Sequence, residues 1–233
     1  MLKDEARWLG ARLRLLDDQR LFPLLNVGSS TQKFREIDQP WIDELIFRPL
    51  RDRGGRIVHM DLKPAVGVDI VGDFNAPATW KDLVELAPRS IVCSNVLEHV
   101  AESQRARLGA QMVELVQPGG YLIVSVPRAF PYHPDPIDTM YRPSPEALLT
   151  LFPGTRALHD EVVHCGTVLG LLDRNILRLV AKAASMVLAR PQSGSTERSN
   201  ASLLDWLVPW LWRPFEVTCL VLEKPVRVRA RPP

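Results

Sequence analysis

The side chains best able to do chemistry sit where apolar runs of the chain give out. Gly28 ends the run 21–27 and is followed by Ser29, Ser30 and Thr31. A strand that stops at glycine and small polar residues lets backbone N–H groups come close to a ligand. The spacing Gly28-x-Ser30-x-Gln32 has one glycine where a dinucleotide fingerprint has three, so an ordinary strand-to-helix turn fits equally well. Asp61 closes the run 56–60, where a carboxylate could accept hydrogen bonds from both hydroxyls of a ribose or cap a turn. Asp73 closes the run 66–71 and could take the exocyclic amine of an adenine. Phe74 would then lie against the base or fill core. Ser94 and Asn95 end the run 90–94 and lead into Val96-Leu97-Glu98-His99-Val100.

A second group lies in the proline-rich stretch 128–145, with His133, Asp135, Asp138, Tyr141 and Arg142. His133 or Asp135 could take a proton from a hydroxyl as its oxygen attacks an electrophile. A proline-stiffened loop with its polar groups internally bonded fits the same residues. His133, Asp135 and Asp138 match no established metal cage, and no metal is expected.

The elements that must position these groups follow from periodicity. Residues 5–20 carry Trp8, Leu9, Leu13 and Leu16 at helical spacing. Strands are expected at 21–27, 56–60, 66–71, 90–94 and 121–126, with helices at 41–53, 79–86 and 102–116 between them. Alternating strands and helices imply an α/β fold with a doubly wound, mostly parallel sheet, which binds ligands at the carboxyl ends of its strands. Ser144-Pro145 fits an N-cap and first-turn proline. A late strand at 215–223 could close the sheet as an antiparallel edge. A long amphipathic helix is expected at 173–190, with a surface loop at 191–200.

The 233 residues suit one domain. Hydrophobic residues at 46% allow a substantial core, and 29 basic against 27 acidic residues give no general support for nucleic-acid binding. Cys93, Cys165 and Cys219 are widely spaced and read as reduced thiols in a cytoplasmic setting. No apolar run is long enough to span a bilayer, and the polar N-terminus does not read as a secretory signal. Arg174, Arg178 and Lys182 form a basic stripe, and Trp206, Trp210 and Trp212 follow. That combination suits peripheral membrane contact as well as a solvated helix with tryptophans packed as a core lid.

Leu25-Asn26-Val27-Gly28, Asp61, Gly72-Asp73, Val96-Leu97-Glu98-His99-Val100 and Leu115-Val116-Gln117-Pro118-Gly119-Gly120-Tyr121-Leu122 occur in this order. The ordered set resembles class I, Rossmann-like methyltransferases that use S-adenosylmethionine, in the branch acting on small molecules, lipids and sugars. The likeness covers about residues 21–152. It implies a single methyltransferase-like domain at 21–233, preceded by the N-terminal helix that periodicity places within 1–20. That domain would hold an acceptor loop at 128–145 and a helical insertion at about 160–214. By the same resemblance Asn26, Gly28 and Ser30 lie at the methionine part of the cofactor, Asp61 at its ribose, and Asp73 and Phe74 at its adenine. Ser94 and Asn95 lie beside it. His99 shapes the site or joins the chemistry. Loops like 131–145 occur in methyltransferases encoded with bacterial surface-sugar genes, which implies O-methylation of a small-molecule or glycan acceptor. Two departures stand out: Asn26 replaces the usual acid, and Ser30 and Gln32 replace glycines. They leave open a catalytically silent binding or scaffold module. The stretch between the second and third strands is too short for the usual helix.

Overall fold

The computed structural model describes residues 1–133, 137–168 and 210–226. The chain opens with α1 (Lys3–Leu13), with Asp4 and Glu5 in its first turn and Arg12 in its last, the order the helix dipole favours. The single helix expected over 5–20 is two. Asp17 leaves the helical path and accepts from the Gln19 N–H at 2.8 Å, so its side chain caps a new short helix, α2 (Asp18–Leu21). Strand β1 (Leu24–Val27) follows. Next come two π-wound turns, Phe34–Asp38 and Asp43–Phe47, the second running directly into α3 (Arg48–Asp52). Pro49 has no N–H to offer the Leu45 carbonyl, which accepts from Arg14 of α1 at 3.4 Å.

The sheet continues with β2 (Ile57–Asp61) and β3 (Ile70–Val71). The strand expected over 66–71 shrinks to two residues. Gly67 turns the chain with φ +80°, and the Asp69 carboxylate takes the His59 N–H at 2.7 Å. A side chain there occupies a donor that a longer strand would have paired. The connection from 62 to 69 holds no helix, as its length requires. Helix α4 (Pro77–Leu86), β4 (Ser90–Ser94), α5 (Glu102–Leu115) and β5 (Tyr121–Ala129) come next. Helix α6 (Pro145–Leu149) starts as expected, with Ser144 Oγ accepting from the Ala147 N–H at 3.2 Å.

Two antiparallel strands complete the sheet, β6 (Arg156–His164) and β7 (Glu216–Glu223). The strand order is β3-β2-β1-β4-β5-β7-β6, parallel from β3 to β5. Two corrections follow. The late strand β7 lies inside the sheet between β5 and β6, and β6 forms the edge. The helical insertion cannot begin at 160, because 156–164 is strand. His159, Asp160 and Glu161 hide this strand from a hydrophobic pattern, and an edge strand tolerates such charges. The expected helix at 173–190, the loop at 191–200 and Trp206 lie outside the described residues.

Alternation along the strands divides the core. Leu25, Val27, Cys93, Leu122 and Val124 face α4, α5 and α6 and pack with Leu83, Leu108, Met112 and Leu148. Leu24, Val92, Tyr121 and Ile123 face the other way, onto Leu9 and Leu13 of α1 and Ile46 and Leu50 of the 43–52 helix. This is the expected doubly wound, Rossmann-like sheet with helices on both faces. Among the described residues no helix is long and apolar enough to cross a membrane.

Candidate functional site

A cavity of about 1000 Å³ opens at the carboxyl ends of β1, β2 and β4. The residues expected at a cofactor, Asn26, Gly28, Ser30, Asp61, Asp73, Phe74, Ser94 and Asn95, all line it, as do His99 and His133. Asp135 lies outside the described residues. The volume is at the upper end of the range for ligand pockets, about 300–1,000 Å³.

The turn after β1 is shaped by contact as well as by sequence. Gly28 has φ +69°, and a Cβ there would stand 2.3 Å from Val96 Cγ2. Glycine is therefore required both for the backbone conformation and for the approach of the 96–100 segment. Ser30 also has a positive φ, +53°, and its N–H donates to Asp61 Oδ2 at 2.7 Å. One carboxylate oxygen of Asp61 thus ties the β1 turn to the end of β2. Arg35, missed in the sequence, holds the same turn from below. Its buried guanidinium donates to the Ser29 carbonyl at 2.9 Å and to the Ser30 and Gly67 carbonyls at 2.7 Å each. Only its position in a π-wound turn aims it there.

Asn26 is buried and pairs across the sheet with His59, its register partner on β2, at 3.1 Å between Nδ2 and Nδ1. Burial, with the nearby Arg35 charge, lowers the His59 pKa to about 4. His59 is therefore neutral, and its Nδ1 accepts from the Asn26 amide. Asp73 turns the chain after β3, accepting from the Asn75 N–H at 2.8 Å. Phe74 is buried, meets Trp80 edge-on at 5.8 Å, and contributes to the cavity wall.

Ser94 and Asn95 are in place beside the cavity, but their side chains turn to a residue the sequence reading passed over. Glu5 of α1, 1% exposed, accepts from Ser94 Oγ at 3.0 Å, Asn95 Nδ2 at 2.8 Å and Ser125 Oγ at 2.7 Å. Its other oxygen takes the Leu2 N–H at 3.1 Å. Ser94 and Ser125 are register partners on β4 and β5, which is why both reach one carboxylate. A signal was present: Glu5 stands four residues before Leu9 and eight before Leu13, an acid on the apolar stripe of its helix.

The two candidate catalytic histidines come together at the other end of the cavity, ring centroids 5.1 Å apart. The His99 Nδ1–H donates to the Ile137 carbonyl at 3.1 Å, and burial lowers the His99 pKa. His133 Nε2 lies 3.7 Å from Asp138 Oδ2. Asp138 itself is buried and ion-paired with Arg142; burial by itself raises its pKa, but the hydrogen bonds from Arg142 and the Met140 N–H, with the Arg142 charge, together outweigh it and lower the pKa. Glu98, 1% exposed, stands beside both histidines, and its Oε2 has no hydrogen-bond partner. Burial pushes its pKa up to about 8. Arg105 braces this segment, donating to the Val100 carbonyl at 3.0 Å and Thr139 Oγ1 at 2.7 Å with its guanidinium over Tyr141.

No known family profile matches the sequence. No curated protein matches it either. Solved structures do resemble it. One is a putative sarcosine dimethylglycine methyltransferase from Galdieria sulphuraria, at 12% identity and TM-score 0.49, over 95% of this chain and 85% of that one. Coclaurine N-methyltransferase bound to N-methylheliamine and SAH is 12% identical, with TM-score 0.48 over 92% and 70%. A SAM-dependent methyltransferase from Archaeoglobus fulgidus is 12% identical, with TM-score 0.46 over 94% of each chain.

Proposed function

We propose that this chain is an S-adenosylmethionine-dependent methyltransferase that O-methylates a small-molecule or glycan acceptor. The observation that carries the reading is the convergence of Asn26, Gly28, Ser30, Asp61, Asp73, Phe74, Ser94 and Asn95 on one cavity at the carboxyl ends of parallel strands. These residues span about seventy positions of sequence.

The donor set fits the cofactor. Asp61 and Asp73 place carboxylates at successive strand ends, suited to a ribose diol and an adenine amine. Asn26 gives its amide N–H to His59, which leaves its oxygen to accept from an ammonium. The Gly28–Ser30 turn carries the backbone close to the cavity. When bound, the cofactor supplies an electrophilic sulfonium methyl group. The protein's contribution is proximity and alignment of the acceptor oxygen. His99 and His133 assist loss of the acceptor's hydroxyl proton, with Asp135 in the same loop. Cytoplasmic residence, and peripheral membrane contact through the C-terminal region, complete this reading as expectations.

Calorimetric titration with S-adenosylmethionine and S-adenosylhomocysteine, with NADH as control, tests it. We expect saturable binding of both methyl cofactors and none of NADH. Asp61→Ala should weaken binding about ten- to a hundredfold, the loss of one or two hydrogen bonds to a charged acceptor. Absence of binding by folded protein would instead favour the silent module, which the neutral Asn26–His59 pair also suits.

A further inference from the structure

We propose that Glu98, His99 and His133 form a binding site for a divalent first-row transition metal at the acceptor end of the cavity. One carboxylate oxygen and one nitrogen from each imidazole lie within 4.8 Å of one another. Ligand atoms about 2 Å from a shared ion stand roughly 3–4 Å apart, so side-chain adjustments of about an ångström would close the set. The His99 Nε2 to Glu98 Oε1 separation is already 3.8 Å.

Two further observations point to a ligand. Glu98 is almost wholly buried, yet its Oε2 has no partner. A buried carboxylate oxygen without a donor is costly, and a cation is the partner that offsets the cost. Second, His99 donates its Nδ1–H to the Ile137 carbonyl, which leaves the lone pair on Nε2, the nitrogen that faces Glu98. A backbone carbonyl behind the far ring nitrogen is the usual support of a metal-bound imidazole. The donor set, two imidazoles and one carboxylate, favours ions such as Co²⁺, Zn²⁺, Fe²⁺ or Mn²⁺ over Mg²⁺ and Ca²⁺, which prefer all-oxygen surroundings. Three protein ligands leave positions open toward the cavity.

The consequence for chemistry deepens the proposed function and rests on it. With a cation bound, the two histidines would no longer take the acceptor's proton directly: the ion would hold the acceptor through its oxygens and lower the pKa of the bound hydroxyl so that its proton leaves to solvent, which selects acceptors presenting two neighbouring oxygen atoms, such as a vicinal diol.

The full-length chain, stripped with a chelator and dialysed, is titrated with Co²⁺ and followed by visible absorption, with metal content measured after gel filtration and folding checked by circular dichroism. We expect one equivalent bound with a d–d spectrum. Glu98→Gln and His133→Ala should each weaken the site about tenfold or more, while exposed His164→Ala leaves it unchanged. The proposal is overturned by folded protein that binds no cobalt saturably. It is also overturned by binding that survives both Glu98→Gln and His133→Ala, which would assign the metal to surface histidines. S-adenosylhomocysteine is titrated into the same sample. Cofactor binding without cobalt binding sinks the metal site alone, and cobalt binding without cofactor binding sinks the methyltransferase reading alone.

Discussion

His59 sits in an environment whose departure from water can be followed by measurements in solution. It is packed edge-on against Phe47 at 5.1 Å and bonded to Asn26, and burial holds its pKa at about 4. An unfolded histidine titrates near 6.5. Between these values the unfolded chain binds a proton that the folded chain refuses, so acid favours unfolding. The stability owed to neutral His59 is whole above about pH 6.5 and is lost as pH falls through 4. Wild-type protein should therefore lose on the order of 1–3 kcal/mol more than His59→Gln between neutral pH and pH 4. Urea midpoints measured across that range check it, and parallel losses in the two proteins would remove His59 from the account. Glu5 shows the opposite arrangement, a buried acid satisfied by three side-chain donors and a backbone N–H. Its network pins the first turn of α1 to the ends of β4 and β5.

At the scale of elements, the site depends on how turns are clamped. The turn after β1 is tied to β2 through Asp61 and to the 62–69 connection through Arg35. Arg35 positions the turn through three bonds to carbonyls. Arg35→Met should lower stability by about 1–3 kcal/mol, the cost of leaving buried carbonyls without donors. It should also weaken S-adenosylhomocysteine binding while leaving cobalt binding at the other end of the cavity unchanged. Arg35→Lys, with its charge but no planar fork, should recover little of either loss. Titrations of both ligands against both variants decide the matter. The 97–99 turn has its own brace in Arg105, so the two ends of the cavity are held by separate arginines on opposite faces of the sheet.

Across the whole molecule, α1 joins what the sheet alone leaves apart. It packs on the 43–52 helix, and its Trp8 and Arg12 bond to Glu161 on the edge strand β6 at 3.0 and 2.9 Å. Its Glu5 reaches the cavity. Close approach to the 43–52 helix requires Gly10, where a Cβ would stand 2.0 Å from the Leu45 carbonyl oxygen. Backbone cannot yield as a flexible side chain does, so Gly10→Ala must push the helices apart. We expect a loss of about 1–3 kcal/mol, typical of overpacking, seen as a lower urea midpoint with an unchanged m-value. An unaltered midpoint would show that α1 is not held as described.

Local pattern was enough to locate the five parallel strands, the residues at their ends and the cap at Ser144. Each depends on neighbours within a few positions: apolar alternation, a glycine that ends a run, a serine before a proline. From these came the doubly wound sheet and the polar residues on its rim. The tertiary structure decided what joins distant stretches. Glu5 meets Ser125 across 120 positions, Trp8 meets Glu161 across 153, and Asn26 meets His59 across 33. The edge strand β6 was hidden because its stability comes from pairing with β7 and not from its own alternation. Glu98, His99 and His133 became one cluster only when the loop after β5 folded back over the turn after β4. Periodicity records which face of an element is apolar, while partners across the fold are selected by packing and by the cost of leaving buried polar groups unpaired.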